Sequence, residues 1–88
     1  MIRREVYDRL NGERSYQELM TKTKGWQQEH SVGDWIVFMQ GYLNKAIARG
    51  SKEIGWDGAL DELRKVAALA VACFEEHGVP ERKSVDQK

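Results

Sequence analysis

A single cysteine, a single proline and no net charge are what this 88-residue sequence has least of. Cys73 has no second cysteine to pair with, and no cysteine and histidine cluster has zinc-ligand spacing, so neither a disulfide nor a metal staple is expected. A reducing cytoplasm is the compartment this predicts. Fourteen basic side chains cancel fourteen acidic ones, which leaves no net field to favour nucleic acid or an anionic membrane as partner. The longest apolar run, Val66–Phe74, is nine residues, against the roughly 20 that a membrane span requires. The opening Met1-Ile2-Arg3-Arg4-Glu5 is too interrupted by charge to read as a secretory signal.

What is present is helical periodicity. Ile2, Val6 and Leu10 recur at helical spacing and Tyr16, Leu19 and Met20 continue the pattern, so residues 3–20 read as a first helix, with a break at Asn11-Gly12 into two shorter ones as the alternative. Residues 21–33 turn polar, lose all period and read as a loop. Asp34 is then positioned to cap a second helix whose stripe is Trp35, Ile36, Met39, Tyr42, Leu43, Ala46 and Ile47, with Gly50 to end it. Asp57 is positioned to cap a third helix running to His77, with Gly78 and Pro80 as stop signals. This gives an all-α fold of three or four helices in one domain, residues 1–80, followed by a mobile charged tail, 81–88.

The third helix carries two apolar sides. Leu60, Leu63, Ala67, Ala70, Val71 and Phe74 form the stripe expected to face the core, while Val66, Leu69 and Cys73 lie on another side beside Glu62. A chain this short buries only about 60% of its unfolded surface, so two helices cannot cover both sides. Homo-oligomerisation, with the Val66 side as the seam, is the expected solution; the third helix of a monomeric bundle is the competing one.

Three segments taken together resemble the small MazG-like proteins common in bacteriophages: Glu13-Arg14-Ser15-Tyr16-Gln17, then Lys24-Gly25-Trp26, then Glu62-Leu63-Arg64-Lys65-Val66-Ala67-Ala68-Leu69-Ala70-Val71-Ala72 with Glu75. The resemblance implies an oligomeric MazG-like helical bundle of the all-α nucleotide pyrophosphohydrolase group, whose enzymes split nucleoside triphosphates with magnesium. Such chemistry needs several carboxylates converging on Mg²⁺. The family's Glu-Glu-x-x-Glu positions on the second helix fall here, with Trp35 as the anchor, on Gly41, Tyr42 and Lys45, and Lys65 stands where an aspartate would follow Glu62. A site that has exchanged carboxylates for lysines pairs with phosphate oxygens directly.

The leading expectation is therefore non-catalytic binding and sequestration of a nucleotide or nucleotide-derived signal, as in a phage counter-defence sponge acting in the host cytoplasm, with no cofactor. The residues expected to carry it are Arg14, Gln17, Lys24, Trp26, Phe38, Tyr42, Lys45, Arg49 and Lys65. The blander reading of Lys45, Arg49 and Lys65 is as solvated helix charges, and Trp35 reads more as core than as a ligand platform. The alternative function is a Mg-dependent pyrophosphohydrolase using Glu13, Glu18, Asp61 and Glu62; a third is a structural or protein-binding helical oligomer. His30 reads as a plain loop residue, Glu75-Glu76-His77 as spread over different helix faces, and Cys73 as inert packing.

Overall fold

The computed structural model describes residues 1–27 and 29–83, and these form three helices and no strand: α1 (Arg3–Lys24), α2 (Val32–Lys52) and α3 (Asp57–His77). α1 runs unbroken through Gly12 and four residues past the expected Met20. In the polar stretch after Met20, which stays helical to Lys24, the Thr21 and Thr23 hydroxyls are satisfied within the helix by donating to the carbonyls of Gln17 and Leu19, at 3.0 and 2.8 Å. Gly25, in the left-handed region at φ 68°, closes the helix as only glycine does without strain. The N-cap of α2 is Ser31, not Asp34. Its hydroxyl accepts the Asp34 amide at 3.0 Å while the Asp34 carboxylate accepts the Ser31 amide at 3.2 Å, a reciprocal capping box. Nor does Gly50 end α2, which continues to Lys52. The ring of Trp56 lies where a Gly50 Cβ would be, so this glycine serves close packing. Asp57 is the first helical residue of α3 and Trp56, without a side-chain cap, precedes it.

α3 is the central element. α2 folds back antiparallel along it, and α1 packs on α3 as well, but α1 and α2 do not pack on each other. The core is correspondingly thin: Trp35, Ala72 and Cys73, with Met39 and Leu69 against them. Ala68, lying in sequence between the Lys65 and Glu75 anchor points of α1, is wholly buried.

The inward side of α3 reverses the expectation. Leu60, Leu63 and Phe74, predicted as core, are 59%, 42% and 46% exposed, and the side holding Glu62, Leu69 and Cys73 faces α2. The reason is steric. Gly58, Ala59, Ala68 and Ala72 are the residues that admit a neighbouring backbone, and they sit on the inward faces. No large side chain among the described residues is fully buried. The radius of gyration, 14.9 Å, exceeds the about 12 Å expected of a compact domain of this length. None of the described helices is long and apolar enough to cross a membrane. The charged tail was expected from Glu81; residues 81–83 have no regular structure, and 84–88 lie outside the described residues.

Candidate functional site: a cleft between α1 and α2

Because α1 and α2 meet α3 but not each other, they stand as two walls with α3 as floor. The space between them is an open cleft of about 1300 Å³, larger than the roughly 300–1,000 Å³ of ordinary ligand pockets. Eight of the nine residues expected to form a binding site line it. Arg14, Gln17, Lys24 and Trp26 come from α1 and the turn after it; Phe38, Tyr42 and Lys45 come from α2; Lys65 comes from the floor. The ninth, Arg49, does not line it.

The two ends of the cleft differ in chemistry. Toward the start of α2, His30, Trp35 and Phe38 form an edge-to-face cluster with centroids 4.9–5.9 Å apart, and Trp26, 57% exposed, stands nearby in the lining. Two turns further along α2, the Lys45 ammonium lies 4.7 Å from the centroid of the Tyr42 ring and Lys65 lies 5.7 Å from it. Lys65 is also held by Glu62 at 3.3 Å and Asp61 at 3.7 Å. Lys45 has no carboxylate partner among the described residues, so its charge faces the cleft uncompensated. Arg14 lines the cleft with its charge already spent on Glu75, through two bonds of 3.1 Å, and on Glu18 at 3.7 Å.

The carboxylates proposed for magnesium are engaged by cations. Glu13 accepts from Arg64 at 2.7 Å. Asp61 takes Arg64 at 2.6 Å and Arg49 at 3.1 Å, while buried Glu62 takes Arg49 at 3.1 Å and Lys65 at 3.3 Å. The Arg64 and Arg49 guanidiniums hold the Asp61 carboxyl below its ordinary value, and Glu13, then Asp61, raises Arg64. Arg49, bound to Glu53, Glu62 and Asp61, is likewise raised. Among the described residues no three acidic, histidine or cysteine side chains are grouped to hold a metal ion. One oxygen of Glu62, Oε2, and the Oε1 of Gln17 are buried without a hydrogen-bond partner. Gln17 uses its amide nitrogen to reach the Lys65 carbonyl at 3.4 Å, tying α1 to α3 beside the lysines.

The aromatic end is fixed by Glu76 and His77, read from the sequence only as spread over different helix faces. Glu76 accepts the Trp35 indole N–H at 2.9 Å and the His30 amide at 3.0 Å, and His77 donates to the His30 carbonyl at 2.7 Å. These bonds pin the connection between α1 and α2 to the end of α3. Burial pushes the Glu76 carboxyl up, but the Trp35 and His30 hydrogen bonds, with His77 adjacent, outweigh it and hold the group below its ordinary value. Nothing in the spacing of Glu76 or His30 signals this, because their partners are more than forty residues away in sequence. No family model, curated protein or solved structure matches the chain.

Proposed function

We propose that this protein binds a nucleotide or a nucleotide-derived signal in the α1–α2 cleft and sequesters it intact, as a self-associating protein. The observation that carries the reading is the uncompensated Lys45 ammonium over Tyr42 at one end of a cleft whose other end is aromatic. Phe38 and Lys45 are separated by two helical turns, about 10.5 Å along the axis, on one side of α2. A small inorganic anion would engage only one end. A base or similar ring against Phe38 and Trp26, with a phosphate chain reaching Lys45 and Lys65, engages both.

Binding without cleavage is favoured because Glu13, Asp61 and Glu62 each serve an arginine or lysine already. A hydrolytic reading would require Arg49, Arg64 and Lys65 to release those carboxylates to magnesium. The resemblance to small phage MazG-like proteins agrees with a nucleotide ligand, and its departures at Gly41, Tyr42, Lys45 and Lys65 fall on residues lining the cleft. A phage protein that soaks up host immune nucleotides is the biological setting we favour, by analogy.

The test is calorimetric titration with mono-, cyclic and ADP-ribose-type nucleotides, with and without magnesium. Stoichiometric, magnesium-independent binding and recovery of intact ligand after denaturation are expected. Recovery of monophosphate and pyrophosphate would establish the hydrolytic reading instead, and no binding to any of them would leave a purely structural oligomer.

A further inference from the structure

The outward side of α3 is apolar without interruption. Leu60, Leu63 and Phe74 are 59%, 42% and 46% exposed, and Ala67 between them is partly exposed. The surface continues onto α2. Gly50 abuts Ala59, which sets that edge of α2 beside the same side of α3, and along this edge run Ile47 and Ile36, 70% and 57% exposed. None of these apolar residues lines the cleft, so the ligand-binding residues take no part in this side of the molecule.

We infer that this face is where a second copy of the chain docks, α3 against α3. The chain exposes 7183 Å², against about 5,300 Å² for a compact monomer of its mass, an excess of roughly 1,900 Å². A stable interface covers about 800 Å² on each partner, less than half of that excess, which this face shares with the open α1–α2 cleft. Ala67 at the centre leaves room for two helices to approach closely, and Leu63 and Phe74 on either side supply the large side chains that fill the gap. The balanced charge, fourteen basic against fourteen acidic groups, opposes no self-association. A two-fold contact of this kind is self-complementary: the same patch serves both partners.

The inference names the partner surface for the self-association in the reading above and is tested apart from ligand binding. Sedimentation equilibrium of the full chain, at micromolar concentration, is compared with that of Leu63→Glu and of Leu63→Glu/Phe74→Glu. Both positions are already solvated in the single chain, so circular dichroism should report unchanged helix content. The wild type is expected at twice the 10.2 kDa chain mass or more, and the variants at 10.2 kDa. A wild type at 10.2 kDa overturns the inference, as does a double variant that still sediments with the wild type. Nucleotide titration of the same samples reads the cleft alone, so failure there leaves the interface result standing.

Discussion

Lys45 and Arg49 stand four residues apart on α2, carry the same charge and do opposite things. The difference is their neighbours. Arg49 meets Glu53, Asp61 and Glu62 within 3.1 Å and becomes structural; among the described residues Lys45 meets no carboxylate but only the face of Tyr42, and its charge stays uncompensated. Two predictions separate them. Lys45→Glu, at an exposed site, should weaken nucleotide binding by more than tenfold through loss of charge-assisted bonds while leaving the thermal midpoint within a degree or two. Calorimetric titration and a melting curve read the two effects. Arg49→Met should do the reverse, because it leaves buried Glu62 with Lys65 as its one remaining cation. The midpoint is expected to fall on the order of 10 °C, and binding by the folded fraction to persist. Equal losses of affinity in both variants would place Arg49 in the binding site after all.

At the scale of the elements, the connection between α1 and α2 is held to α3 by the Glu76 carboxylate and the His77 ring. Glu76 bonds the Trp35 indole and the His30 amide, so the aromatic end of the cleft depends on its charge. Its folded-state value is depressed, so the stabilisation is fully present above the ordinary carboxyl value of 4.5 and is lost as pH falls through the lower folded value. Asp61, depressed from 3.8 by Arg64 and Arg49, is lost in the same direction at lower pH. Tryptophan fluorescence should therefore show an acid transition as pH falls below the ordinary carboxyl value of 4.5. In Glu76→Gln the shift should already be present at pH 7, with less further change on acidification. An acid transition identical in wild type and variant would remove Glu76 as its cause. The elements also explain what could be read in advance. Three helices follow from the spacing of apolar residues, with Gly78 closing α3 as expected, whereas α1 runs on to Gly25 and α2 runs past Gly50. The inward face of α3 does not follow, because side-chain size draws the eye to Leu60, Leu63 and Phe74, while close packing is decided by Gly58, Ala59, Ala68 and Ala72. Residue identities in the cleft were legible for the same reason that Arg49 was not. Phosphate-pairing chemistry is a property of a side chain, whereas whether its charge is already neutralised depends on carboxylates that only the folding of α3 brings beside it.

At the scale of the molecule, a thin core and an oversized surface set a thermodynamic expectation. Trp35 is the largest buried side chain and is itself 9% exposed, so the single chain lacks the burial that ordinarily supports a domain. If the outward face of α3 completes the fold by meeting its copy, stability must depend on chain concentration, since mass action then favours the folded dimer. Raising the protein from about 1 to about 100 μM should add about 2.7 kcal/mol per dissociating dimer at 25 °C. That corresponds to an upward shift in thermal midpoint of several degrees, readable by calorimetry. Leu63→Glu should melt lower than the wild type and at the same temperature at both concentrations. A wild-type midpoint that does not move with concentration would mean that one chain is stable with its apolar side wet, and the thin core would then be supported by the ion pairs of Arg14, Arg49, Arg64 and Lys65 and by the Glu76 bonds. Those pairs are screened by salt where they are exposed. High salt should then lower the midpoint. An interface of leucine and phenylalanine carries no charge to screen, so a dimer's dependence on dilution should survive added sodium chloride.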